Sequence, residues 1–201
     1  LLGYEIKDNK QDATVERLKK SIRDKDGNGL AEAEKALQKY PNAFAVVYNS
    51  ARLYRLFGME QQDKEKLDRA LALLTLLSQN SDPHISALTI YGDMAEVYIA
   101  LGKESQAIAL LQKHNAKGIF SDLIGLMLAS DDVRRKEALP YLSEALLYNL
   151  TSLIRTLLGF VNLYFGQEDY QTACDLLDWA VSMLSGLKKE REGNFLDKIE
   201  A

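Results

Sequence analysis

The clearest hydrophobic pattern in the chain lies in residues 91–111. Four side chains there recur at i, i+3, i+4 and i+7, the spacing of one helical face: Tyr91, Met94, Ala95 and Tyr98. Gly102 then interrupts the pattern, and Ala107 and Leu111 begin a second stripe. The spacing predicts two antiparallel helices joined by a turn at Gly102. The two helices are expected to approach each other closely because alanine is small.

The same alternation of stripes and breakers recurs along the chain. Gly58 is expected to end the third helix, and Pro140 to kink the eighth or to lie at its start. Asp12 or Thr14 is expected to cap the first. The predicted helices cover 12–25, 30–40, 44–57, 61–79, two within 82–114, 119–129, one through 138–145, 151–165, 169–186 and 187–201.

The composition favours helices and disfavours several functions. The 201 residues include only 3 Pro and 12 Gly, so few residues would break helices. Lys and Arg number 25 against 29 Asp and Glu, which is unfavourable for a domain that binds nucleic-acid phosphates. No apolar run of ~18 residues suggests a membrane span. The single cysteine, Cys174, fits a reducing compartment, so we expect a cytoplasmic protein without membrane contact.

Candidate chemistry is sparse. Asp24, Asp26, Asn28 and Gly29 have the spacing that opens a calcium-binding loop. Lys35 stands where that loop needs a bidentate glutamate, so a polar turn is the better interpretation. The chain has only two histidines, and it has no phosphate-binding or nucleophile motif. We therefore expect no cofactor, no metal and no enzymatic activity.

The paired stripes resemble tetratricopeptide repeats over about residues 12–184. A small residue four positions before a large one marks the second helix of each pair, as in Ala33 with Leu37 and Ala173 with Leu177, and such markers recur about every 34 residues. No pair has the family's first-position Trp. The resemblance implies an all-α, right-handed superhelix of about five antiparallel pairs plus a C-terminal capping helix, over residues 12–201.

The resemblance also implies a binding groove lined by the first helix of each pair. Arg and Asn side chains are suited to bind a carboxylate or a peptide backbone. Two alternatives to ligand binding remain: the arginines only solvate their helix, or Arg52 pairs with Glu96. The expected groove residues are exposed and comprise Tyr48, Asn49, Arg52, Arg55, Glu96, Met127, Arg155 and Asn162.

A second resemblance concerns the first residues. Leu1-Leu2-Gly3-Tyr4 is similar to the tail after the helix-turn-helix domain of Xre/Cro-type regulators, some of which carry tetratricopeptide-like C-terminal domains. Residues 1–11 would then be that tail, and DNA contact would belong to a domain outside this sequence. The implied function is a regulatory module that senses an effector or peptide, or dimerises. The alternative is a free-standing scaffold that binds a partner protein's peptide.

We predict that Ala95→Leu and Ala173→Leu each destabilise the fold by about 1–3 kcal/mol, because a larger side chain overpacks the contact between paired helices. Thermal denaturation measures the change. Melting temperatures equal to that of the wild type would contradict the predicted helix contacts.

Overall fold

The computed structural model describes residues 9–80, 82 and 85–187. Most of the expected tail (residues 1–8 of 1–11) and nearly all of the expected capping helix (188–201 of 187–201) lie outside them. All regular structure in the described part is helical. The α-helices are α1 (Asn9–Asp24), α2 (Gly29–Lys39), α3 (Phe44–Gln61), α4 (Lys64–Ser78), α5 (Ala87–Ala100), α6 (Glu104–His114), α7 (Ser121–Ser130), α8 (Ala138–Gly166) and α9 (Tyr170–Leu187).

The chain divides into two compact units, Leu1–His114 and Asn115–Ala201. In the first unit α3 packs against α1, α2 and α4, and α5 packs against α4 and α6. In the second unit α8 packs against α7 and α9. The all-α prediction is confirmed.

Small residues lie where helices of the first unit meet. Ala33, Ala51, Ala95 and Ala107 are each fully buried. The turn predicted at Gly102 is present: its φ is 69°, and the Lys103 amide donates to the Tyr98 carbonyl at 2.8 Å. A glycine at this position accepts the left-handed backbone that ends a helix.

The predicted end of α3 at Gly58 is wrong. The helix continues to Gln61, and Gln62 takes the left-handed conformation instead. Gly58 is buried against α4, where an added Cβ would come within 2.8 Å of the Leu67 side chain and 3.0 Å of its backbone nitrogen. Gly58 therefore permits close contact between two helices rather than a turn.

Two further boundaries differ from the sequence prediction. The α1 helix starts at Asn9, so Asp12 and Thr14 are not its cap. The Thr14 hydroxyl lies inside the helix and donates to the Lys10 carbonyl at 2.8 Å. The eighth and ninth predicted helices are one continuous helix, α8. Pro140 lies in its first turn, where no amide donor is needed.

The joined helix changes the membrane expectation. Residues Arg135–Gly166 form a helical stretch long and apolar enough to cross a membrane, and only 6% of its most apolar window is buried. The sequence expectation concerned uninterrupted apolar runs of ~18 residues, whereas α8 meets a criterion of mean hydropathy. The sequence interpretation missed it by dividing the stretch into two helices.

We predict that Gly58→Ala destabilises the chain by about 1–3 kcal/mol, since the new methyl group clashes with the backbone of Leu67 and outweighs the gain in helix propensity. Gly159→Ala is the matched control: Gly159 is also inside a helix but has no atom within 4 Å of an added Cβ. That variant should be stabilised by about 0.5–1 kcal/mol. Urea denaturation measures both, and equal effects at the two glycines would contradict the packing described for Gly58.

Candidate functional site

The candidate site lies where α3 and α5 pack together. Arg55 of α3 pairs with two carboxylates of α5, Asp93 and Glu96, and its Nη1 lies 2.8 Å from Glu96 Oε2. The side chain of Asp93 is 12% exposed and that of Arg55 is 20% exposed, whereas Glu96 is half exposed. Arg55 is therefore an internal counter-ion that ties the two helices together.

Tyr48 lies beside this ion pair and is buried. Burial, followed by the negative charge of Asp93, raises the pKa of Tyr48 to about 12. The phenol is therefore neutral at physiological pH. Its ring also lies 5.8 Å from the guanidinium carbon of Arg52, within the range of a cation–π contact.

Arg52 differs from Arg55 in its partners. It is half-buried on α3, and no acidic side chain of residues 9–80, 82 or 85–187 forms an ion pair with it. The alternative that Glu96 neutralises Arg52 is not observed, because Glu96 pairs with Arg55. A positive charge held against an aromatic ring without a counter-ion is suited to bind an anion.

The expectation that Tyr48 and Asn49 are exposed is wrong. Tyr48 is 9% exposed and Asn49 4%. The Asn49 Nδ2 donates to the Ala45 carbonyl at 2.7 Å within its own helix. Because that side chain turns toward its own backbone, it is not free to bind an extended peptide at the surface.

Two buried acceptor atoms near the site have no hydrogen-bond donor in the described structure: Asn49 Oδ1 and Asp93 Oδ2. Buried acceptors are usually paired, and an unpaired one costs about 1–3 kcal/mol. Asp93 therefore depends strongly on Arg55.

The other three expected groove residues belong to the second unit. Met127 is half-buried on α7, and Arg155 and Asn162 are exposed on α8. Arg155 borders an open groove of about 410 Å³ that Lys117 and Tyr148 also line. The structure thus brings together Tyr48, Asn49, Arg52, Arg55 and Glu96 in the first unit. Binding of a ligand by any of the eight residues stays a prediction.

Sequence reasoning missed Asp93, although a signal was present. Asp93 is the only charged residue between Ser86 and Glu96, and an isolated acid in an apolar helix indicates a buried partner. It also missed a second cluster, in which Glu34 accepts from Tyr54 at 2.8 Å and from Arg69 at 3.1 Å.

Several other polar groups make local contacts. Asp26 Oδ1 accepts from the Asn28 backbone at 3.0 Å, as expected of a polar turn. His114 stacks on Tyr91 with 3.6 Å between ring centroids, and its partial burial, followed by the charge of Lys113, lowers its pKa. In the described ranges, no group of three His, Cys, Asp or Glu side chains could hold a metal ion.

Comparison with family models, with curated proteins and with solved structures finds no match to this chain. Its function must therefore be argued from its own residues.

We predict that the two arginines of α3 differ in their effect on stability. Arg55→Met should cost about 1–3 kcal/mol because it removes the cation that donates to the buried Asp93 carboxylate. Arg52→Met should cost less, about 0.5–1 kcal/mol, because it removes only a cation–π contact with the Tyr48 ring. Chemical denaturation of both variants measures the two free energies of unfolding. A larger loss of stability in Arg52→Met than in Arg55→Met would refute the conclusion that Arg55 is the internal counter-ion.

Proposed function

We propose that this chain is an interaction module of the tetratricopeptide-repeat kind, and that the α3–α5 face binds an acidic or carboxylate-terminated peptide of a partner protein. The observation that carries the proposal is the difference between the two neighbouring arginines. Arg55 has two carboxylate partners, whereas Arg52 has none in the described structure. One arginine holds the site together, and the other remains available to a ligand.

The arrangement of helices supports the repeat architecture. Each helix of the first unit contacts its neighbour in sequence, and α3 also contacts α1 and α5. Stacked helix pairs of a repeat array make the same kinds of contact. Each helix packs on its neighbour in sequence, and the first helix of one pair also packs on the first helix of the next. In such arrays the first helices form the binding face, and Arg52 lies on one of them.

We further propose that the module belongs to an Xre-type transcriptional regulator and acts in the cytoplasm. The support is the similarity of Leu1-Leu2-Gly3-Tyr4 to the tail that follows the DNA-binding domain in that family. Ligand binding at the α3–α5 face would then control the DNA-binding domain. A free-standing scaffold would have the same peptide site without that domain.

Peptide selection tests the binding site. A random peptide library with free C-terminal carboxylates is screened against the intact chain, and acidic or carboxylate-dependent peptides should be enriched. For the best of these, Arg52→Met should weaken binding about tenfold or more, the loss of one charge-assisted hydrogen bond. The affinity should also fall as salt increases.

Arg23→Met is the matched control. Arg23 is an exposed arginine of α1, and its one nearby acid is Asp24 at 4.0 Å. The control should bind the selected peptides like the wild type. The proposed site would be contradicted if the selected peptides showed no preference for acidic residues or a free carboxylate. It would also be contradicted if Arg52→Met and Arg23→Met lost the same amount of binding affinity.

The regulator proposal is tested separately by the gene sequence that precedes Leu1. It should encode a helix-turn-helix pattern, in which the second helix reads the major groove. An initiating methionine directly before Leu1 would favour the free-standing scaffold and leave the peptide site unaffected.

A further inference from the structure

A groove of about 410 Å³ follows one face of α8 in the second unit. Its volume lies in the range of ~300–1,000 Å³ that is typical of clefts for small molecules. Lys117, from the short helical turn before α7, lines the groove from the other side of the chain turn. The remaining lining residues recur at i, i+3, i+4, i+7, i+8 and i+11, the spacing of a single helix face: Glu144, Leu147, Tyr148, Thr151, Ser152 and Arg155.

Two cations line this groove without a counter-ion. Neither Lys117 nor Arg155 forms an ion pair with an acid of residues 9–80, 82 or 85–187. Arg134, in the same unit, instead pairs with Glu137 at 2.8 Å. A charged donor that has no protein partner is suited to bind an anion.

The side-chain hydroxyls of Thr151 and Ser152 are also unused, since neither forms a hydrogen bond within the described part of the chain. A hydroxyl inside a helix often bonds back to a carbonyl one turn earlier, and the Thr156 hydroxyl does so to the Ser152 carbonyl at 3.0 Å. Thr151 and Ser152 lie one turn before Arg155 and are its neighbours on the helix surface. This end of the groove therefore presents one guanidinium group and two hydroxyl donors.

The opposite end of the groove contains one acid, Glu144, about three turns along α8 from Arg155. Its Oε2 accepts from the buried hydroxyl of Ser121, which itself accepts from Asn115 Nδ2 at 2.8 Å. Gly118 leaves space for the carboxylate, because an added Cβ would lie 2.7 Å from the carboxyl carbon. These contacts hold Glu144 as a hydrogen-bond acceptor at this end.

The donors at the Arg155 end match a phosphate better than a carboxylate. A guanidinium group alone satisfies both oxygens of a carboxylate, which would leave the two hydroxyls without an acceptor. A phosphate monoester has three acceptor oxygens and a charge of about −1.5 to −2, and Lys117 supplies a second positive charge to the groove.

The source of the phosphate is a small molecule rather than a nucleic acid. The formal net charge of the chain is −4, which opposes binding of a polyanion. The groove spans only about three helical turns, or ~16 Å, which is the length of one small ligand.

The middle of the groove is suited to a compact body that carries hydroxyl groups. Leu147 is 50% exposed and Tyr148 60%, so their apolar faces are open to a ring that lies between the two ends. Glu144 accepts hydrogen bonds at the far end, and hydroxyl groups of a sugar are donors.

We propose that this groove binds a small phosphate ester with hydroxyl groups, either a sugar phosphate or a mononucleotide. The phosphate lies at Arg155, Thr151 and Ser152, and the hydroxyl groups lie toward Glu144. This proposal does not rest on the peptide site, because the groove belongs to the other unit of the chain. No phosphate loop marks the groove in the sequence, because its residues follow the spacing of a helix face.

Calorimetric titration of the full chain with glucose-6-phosphate and with AMP tests the ligand class and distinguishes its two sources. At least one ester should bind with a dissociation constant below about 1 mM. Glucose, adenosine and inorganic phosphate should each bind about tenfold more weakly or worse, because each lacks one end of the ligand.

Two pairs of variants test the site. Arg155→Met should weaken binding of the ester about tenfold or more, whereas Lys136→Met removes an exposed charge outside the groove and should not. Thr151→Val should weaken binding about fivefold, because it removes one hydrogen bond and keeps the shape. Thr156→Val is its matched control, since that hydroxyl already bonds within α8. All four residues are exposed, so the helical circular dichroism should not change.

The proposal is overturned if neither ester binds at concentrations up to about 10 mM. It is also overturned by equal losses in Arg155→Met and Lys136→Met, because general electrostatic attraction would then explain the binding. Equal losses in the two threonine variants would remove the hydroxyl contact from the site. Equal affinity for inorganic phosphate and for the esters would overturn the assignment of an ester as the ligand.

Discussion

Close contact between helices at small residues is the constraint on which the first unit depends. Ala51 of α3 and Ala95 of α5 are fully buried, and Gly58 leaves no room for a methyl group against α4. Where two backbones approach this closely, larger side chains must lie beside the contact rather than in it. The polar groups of the site lie on the same two helices, α3 and α5.

Those polar groups have different roles in the site. Asp93 is an acid buried among apolar residues, and it is compatible with the fold because Arg55 reaches it from the neighbouring helix. The charge of Asp93 in turn helps to keep Tyr48 neutral, and the Tyr48 ring supports Arg52. The ion-paired Arg55 thus stands one turn from Arg52, which has no ion pair among the described residues.

The sequence predicts helices well where an apolar stripe and a breaker agree, as at Tyr98 and Gly102. The prediction fails where one residue type can occupy more than one kind of structural position. Gly58 resembles a helix end but serves packing, and Pro140 resembles a kink but fits the first turn of α8. Asn49 was expected to face solvent, yet its side chain bonds within its own helix. The Arg55–Asp93 pair joins residues on different helices, so local periodicity could not show it.

The coupling between Arg55 and Asp93 tests the account most directly, because it measures whether α3 and α5 meet as described. Arg55→Met, Asp93→Asn and the double variant form a double-mutant cycle in the free energy of unfolding. The account predicts a coupling of about 1 kcal/mol or more that stabilises the chain. A coupling of zero within error would show that the two side chains do not interact, and the proposed role of Arg52 would lose its structural basis.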